Sequence, residues 1–138
     1  MNYLLYVSKR PEFTTDDDVE RIIDIAEKHN AVNQITGILL IRRRYFIQYF
    51  EGSKDAVEDL LKRLQADSRH RDMLILEQGE IDFRLFPEWR MLAIRNTSEH
   101  KYQLESINRS PLPNLRHLLH KYFVLESPPS IAFDEFAH

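Results

Sequence analysis

A chain of 138 residues with 43% hydrophobic and 30% charged residues has the size for one buried core and the composition of an ordinary globular protein. Its formal net charge of -3 at pH 7 sets up no global field for nucleic acid or an anionic membrane, so neither is implied as a partner. The absence of cysteine excludes disulfides, thiol catalysis and thiolate metal sites, and agrees with a reducing, cytoplasmic setting.

The run Tyr3-Leu4-Leu5-Tyr6-Val7 predicts a first strand over residues 2–8, with Pro11 marking the loop after it. The run lacks the length and the basic flank of a signal peptide or membrane span. Thr14 or Thr15 ahead of Asp16, Asp17 and Asp18 starts a helix, because a hydroxyl caps free amides and acids suit the positive end of the dipole. Val19, Ile22, Ile23 and Ala26 recur at helical spacing and carry that helix to about His29. Residues 35–41, ITGILLI, read as a central strand. Residues 45–52, YFIQYFEG, read as its antiparallel partner across the turn Arg42-Arg43-Arg44, which reads as solvated.

Alternation in this second strand of the hairpin places Phe46, Gln48 and Phe50 on one face and Tyr45, Ile47 and Tyr49 on the other. Both faces are mainly apolar, so both are expected to be covered. The Gln48 amide then needs partners, since a buried group left unpaired costs roughly 1–3 kcal/mol. Ser53 caps a second helix with a stripe of Val57, Leu60, Leu61 and Leu64, ending near Asp67-Ser68-Arg69-His70. Met73 to Glu77, and the apolar stretch from Phe83 to Ile94, supply two further strands.

The order βαββαββ, with two one-sided helices, predicts a ferredoxin-like α+β sandwich with a mixed sheet and both helices on one face. Right-handed crossovers are expected to set the two early parallel strands side by side. This unit spans residues 1–95. Residues 96–138 read as a helical C-terminal extension, with a short helix in Glu99 to Ile107, a break at Pro111 and Pro113, and a second helix through Leu115, Leu118, Leu119 and Phe123. A tail carrying Ile131, Phe133 and Phe136 follows.

The topology gathers Tyr6, Asn30 and Gln48 between sheet and helices, either as three separately satisfied polar groups or as the polar edge of a pocket for a flat ligand. Arg63, Asp67, Arg69 and His70 cluster at the end of the second helix, where cations complement the dipole or bind phosphate or ribose. His117 and His120 lie three apart on a helix without a third ligand nearby, so a metal site is not supported. The three glycines, at 37, 52 and 79, form no phosphate loop, and no serine sits in a nucleophile context.

Five blocks, taken together, resemble the BLUF family, the sensors of blue light using FAD. They are Leu5-Tyr6-Val7-Ser8, then His29-Asn30-Ala31 with Ile35-Thr36-Gly37-Ile38-Leu39, and Phe46 through Gly52. Asp67-Ser68-Arg69-His70 and Phe86-Pro87-Glu88-Trp89-Arg90-Met91 complete them, in order, over residues 1 to about 95. The resemblance implies FAD, with FMN the alternative, held non-covalently between the two helices. Tyr6 is then the phenol that exchanges an electron and a proton with the excited flavin, and Gln48 the amide between them whose donor and acceptor ends reverse. Asn30 is implied at the flavin carbonyl edge, His29, Ile25 and Phe46 as further cofactor-binding residues, and Arg63, Asp67, Arg69 and His70 at ring-edge, ribityl or phosphate groups. Trp89 and Met91, on the last strand, are implied as the pair whose packing reports the light state.

The expected output is a changed surface read by a downstream protein or by a homo-oligomer, which Phe133 and Phe136 serve unless they pack back on the sheet. An output enzyme is not expected on this chain. Two flavin-free alternatives remain: an enzyme of the acylphosphatase type and a protein-interaction module.

Overall fold

In a computed structural model, which describes residues 1–10, 14–66 and 73–129, the chain forms one five-stranded sheet with helical segments on both faces. The elements of the predicted unit are β1 (Asn2–Lys9), α1 (Asp16–Asn33), β2 (Thr36–Ile41), β3 (Tyr45–Gly52), α2 (Lys54–Ala66), β4 (Met73–Glu80) and β5 (Leu92–Ile94). The strand order is β4-β1-β3-β2-β5. β1 and β2 therefore do not lie side by side. β3 occupies the place between them and pairs antiparallel with both, because the α1 crossover leaves one slot open and the tight hairpin folds β3 back into it. β5 adds parallel to the outer edge of β2.

α1 starts at a capping box in which Asp18 N–H donates to Thr15 Oγ1 at 3.1 Å and Thr15 N–H to Asp18 Oδ2 at 3.0 Å. It runs past His29 to Asn33, with Gln34 in the left-handed conformation at φ 54° closing it. Asn30 consequently lies inside the last turn of α1 rather than after it. Ser53 Oγ accepts from Ala56 N–H at 3.2 Å and starts α2.

The sheet divides the apolar side chains into two cores. Leu4, Tyr6, Leu39, Phe46 and Phe50 pack with Val19 and Ile23 of α1 and Val57 and Leu60 of α2. On the reverse face, Leu5, Val7, Ile38, Ile47 and Tyr49 pack with Leu104, Ile107, Leu115, Leu119, Tyr122 and Phe123 from the C-terminal residues. Both faces of β3 are thus covered, as its residue pattern requires.

The C-terminal cap is more irregular than two plain helices. Tight 3-10 turns at Thr97–His100 and Glu105–Arg109 flank the single α turn α3 (Lys101–Leu104). α4 (Pro113–Leu119) has proline in its first turn, where no amide is needed, and widens into a π turn over His120–Val124. The stretch from Phe83 is strand only at Leu92–Ile94, with an irregular segment before it. At the hairpin turn Arg43 and Arg44 are exposed, but Arg42 is not solvated as expected. Its guanidinium donates to the carbonyls of Ile41 and Arg95 and pairs with Glu126 at 2.9 Å, tying the turn to the cap.

Gly37 shows how closely the strands fit. A Cβ there would overlap the backbone carbonyl oxygen of Tyr49, a group that cannot swing aside. Gly37→Ala is expected to cost on the order of 3 kcal/mol, at the top of the overpacking range, in denaturant unfolding. An alanine variant as stable as the parent would contradict this strand packing.

Candidate functional site

Residues Tyr6 and Gln48 are direct partners in the β1–β3 register, so their side chains leave the sheet on the same face. The pairing of β1 with β4 shifts between Leu5 and Tyr6, where Leu76 of β4 is left without a partner in β1, while the β1–β3 register runs through Tyr6 unbroken. Above this face α1 presents Ile22, Ile25, Ala26, His29 and Asn30, one stripe at helical spacing, and α2 presents Leu60, Arg63 and Leu64. Sheet and helices enclose a cavity of about 320 Å³, whose floor also includes Ser8, Lys9, Phe46 and Phe50. That volume lies at the lower end of small-molecule sites.

The walls are mainly apolar and the polar groups few. Tyr6 is buried and stacks on Phe50 with ring centroids 5.9 Å apart. Burial pushes its phenol well above the ordinary tyrosine range. Among the described residues no protein group hydrogen-bonds the Tyr6 hydroxyl or the Gln48 amide. Both therefore offer unspent hydrogen-bonding capacity to whatever enters the cavity. Asn30 is buried and donates from Nδ2 to the Arg90 carbonyl at 2.6 Å, which fixes its side chain and leaves Oδ1 and a second N–H for another partner. This donor set fits a flat, heteroatom-edged ring: aliphatic and aromatic side chains for its faces, two amides and a phenol for its rim.

Seven expected site residues line the cavity: Tyr6, Ile25, His29, Asn30, Phe46, Gln48 and Arg63. Asp67, Arg69 and His70 lie outside the described residues. Trp89 and Met91 do not line it, and neither belongs to a strand. Met91 is buried in the core that holds Tyr6 and Phe46, whereas Trp89 packs against the opposite core with the cap. In a regular strand two residues at this spacing share a face. The turn that Trp89 N–H closes on Phe86 O at 3.3 Å breaks the alternation.

Ser8, Ile22, Ala26, Phe50, Leu60 and Leu64 also line the site without having been singled out. Strand alternation from Tyr6 and Gln48, and helical spacing from Ile25 and Arg63, were the available signals. Among the described residues no three His, Asp or Glu side chains gather as a metal site, and no helix is long and apolar enough to cross a membrane.

The buried phenols have a measurable consequence. Burial, then the neighbouring Glu77, raises Tyr3 from 10.0 to about 12, and burial raises Tyr6 and Tyr49 further. A raised folded value means that the stabilisation is complete below the unfolded value near 10.0 and is lost as pH climbs through the folded values. In an alkaline titration of phenolate absorbance, these three of the six tyrosines should ionise only as the fold is lost. All six ionising near pH 10.0 with the fold intact would contradict their burial.

Comparison with known proteins places the chain in a family. The family model "Sensors of blue-light using FAD" matches residues 1–92. The beta subunit of a photoactivated adenylate cyclase from Euglena gracilis is 35% identical over 91 residues, 65% of this chain and 11% of that protein. This chain thus spans about a tenth of the length of the curated relatives it matches. The photo-activated state of BlsA superposes with a TM-score of 0.68 at 30% identity, covering 90% of this chain and 96% of that one. BlrB, a BLUF protein in its dark state, gives 0.65 at 28% identity over 91% and 89%. With the family's domain covering residues 1–92 and its fold recurring in BlsA and BlrB, the chain belongs to the BLUF family of blue-light sensors.

Proposed function

We propose that FAD fills the cavity between α1 and α2, and that Tyr6 and Gln48 convert its excitation into a changed hydrogen-bond network. The observation that carries this reading is the cross-strand pair itself. Tyr6 and Gln48 sit opposite each other at the cavity floor, and among the described residues neither polar end has a protein partner. Membership of a photoreceptor family replaces the acylphosphatase and interaction-module alternatives. The BLUF domain is a sensor rather than an enzyme. The cyclase activity named in its relatives belongs to those proteins.

A bound flavin supplies a strong oxidant when it absorbs blue light. Tyr6 gives an electron and its hydroxyl proton and later takes both back, for which a buried, un-ionised phenol is the right starting state. Gln48 can donate at one end and accept at the other. Reversal of those ends, by rotation or tautomerisation, leaves the amide donating more strongly toward the flavin carbonyl edge. Asn30 holds the same edge. His29, Ile25 and Phe46, which line the cavity, would help hold the flavin, and Arg63 would take a ring-edge, ribityl or phosphate contact. By the family resemblance we assign Asp67, Arg69 and His70, which lie outside the described residues, to flavin contacts as well.

The sensor unit of residues 1–95 then signals through residues 96–138, of which Leu104, Ile107, Leu115, Leu119, Tyr122 and Phe123 cover the reverse face of the sheet that carries Gln48, while Ile131, Phe133 and Phe136 lie outside the described residues. We assign the reader of that change to a partner protein or a second copy of the chain in the cytoplasm. The light-minus-dark infrared difference spectrum tests the switch: a flavin carbonyl band should move to lower frequency as Gln48 donates to it. An unmoved carbonyl band during an otherwise normal photocycle would contradict the reading.

A further inference from the structure

On the opposite side of β3 from Gln48, the carboxylate of Glu51 is completely buried and accepts four hydrogen bonds. Its Oε1 takes the Tyr49 hydroxyl at 3.0 Å and the Leu85 N–H at 2.8 Å. Its Oε2 takes the Phe86 N–H at 2.7 Å and the Thr36 hydroxyl at 3.2 Å. Arg84 seals the group, donating to Thr36 Oγ1 at 2.8 Å, to the Glu51 carbonyl at 3.0 Å and to the Gln34 carbonyl at 2.6 Å. One carboxylate thereby ties β2 and β3 to the start of the irregular segment that leads into β5.

The far end of the same segment is held from the cavity. Gly37 N–H donates to the Trp89 carbonyl at 2.8 Å, and Asn30 Nδ2 to the Arg90 carbonyl at 2.6 Å. Between these pins the chain sends Trp89 to the cap and Met91 to the core of Tyr6. Trp89 also lines a second cavity, of about 750 Å³, opposite Tyr102 and Arg109 of the cap. Segment 84–91 is therefore anchored at its exit to a flavin-site amide and at its entry to Glu51, with the side chains facing the two cores in between.

We propose that Glu51 is a positioning residue for the photoresponse. It holds the entry of segment 84–91 fixed, so that altered hydrogen bonding at Asn30 and Gln48 displaces Trp89 and Met91 rather than the whole segment. Its unbroken hold on the Leu85 and Phe86 amides keeps the segment in register, so that Trp89 and Met91 return to their places in the dark. The proposal rests on the Tyr6–Gln48 switch and adds to it the path toward the cap. A carboxylate suits the site because each of its two oxygens faces a backbone N–H, which can only donate. A glutamine has one acceptor oxygen, and whichever way its amide turns, the N–H of Leu85 or Phe86 faces an NH₂ group.

The test is Glu51→Gln in the full chain with its flavin, followed by dark recovery after a blue pulse and by the emission of Trp89, the chain's one tryptophan. The variant should bind flavin and shift red, recover roughly fivefold more slowly, and lose most of the light-dependent change in Trp89 emission that the parent shows. Tyr49→Phe removes one donor, keeps both backbone bonds, and should slow recovery by roughly twofold; it carries the test if Glu51→Gln does not fold. Recovery at the parental rate with only a lowered Tm, or a parent whose Trp89 emission ignores light, overturns the proposal. A parent with no red shift at all would instead bring down the Gln48 switch, and this inference with it.

Discussion

Gln48→Leu should leave a protein that still binds flavin and no longer shifts its spectrum in blue light. Leucine is close to glutamine in size and keeps the cavity floor filled between Phe46 and Phe50. It removes both ends of the amide whose reversal is the proposed switch. Among the described residues the Gln48 side chain has no protein hydrogen bond to lose, so unfolding free energy should change by less than about 1 kcal/mol. Flavin affinity should fall by about the value of one hydrogen bond, roughly 1 kcal/mol, since the apolar walls, Asn30 and Tyr6 remain. Light and dark spectra of the purified variant, with a denaturant melt beside them, check both halves. A retained red shift would show that the signal does not pass through this amide, whereas a large loss of stability would make Gln48 a structural glutamine.

Tyr6→Phe removes a single oxygen and tests the other partner. The ring keeps its stacking on Phe50, and among the described residues no protein group loses a bond to the hydroxyl. Stability should again hold to within about 1 kcal/mol. What disappears is the only phenol lining the cavity among the described residues, and with it the proposed source of the electron and proton. The yield of the red-shifted state per absorbed photon should drop on the order of a hundredfold or more, the scale on which a positioned proton-transfer group acts. A variant that photocycles with parental yield would remove Tyr6 from the mechanism.

The order of elements and the two-sided burial of β3 were legible because alternation and helical spacing are local signals that β3, α1 and α2 carry cleanly. The direct pairing of Tyr6 with Gln48 was not legible, because it depends on β3 lying beside β1 and on the register between them. Strand neighbours were less accessible, since nothing local in β1 or β2 reveals that β3 will fold back between them. The end of α1 was read early because His29 and Asn30 look like a polar stop, while the real terminator is Gln34 in a left-handed cap, four residues beyond. The segment before β5 is apolar enough to look like strand, yet its amides are spent on Glu51 and on a local turn.

Glu51 itself was visible only as part of a family block. A charged residue at the end of an apolar strand is usually exposed, and only the fold shows that three segments converge on it with four donors. The opposite fates of Trp89 and Met91 were hidden for the same reason: they depend on the turn at Phe86–Trp89, not on residue type. Arg42 illustrates the limit for charges. Three consecutive arginines suggest a solvated turn, and the engagement of one with Glu126, 84 positions away, is a tertiary fact.

The central claim is that light rewires a flavin site built from Tyr6 and Gln48. Its most direct test is the visible spectrum of the purified chain in the dark, under blue light, and through recovery. The account predicts a flavin spectrum that moves slightly to the red and returns in the dark. A flavin spectrum that only bleaches, or a purified protein that carries and takes up no flavin, would contradict it.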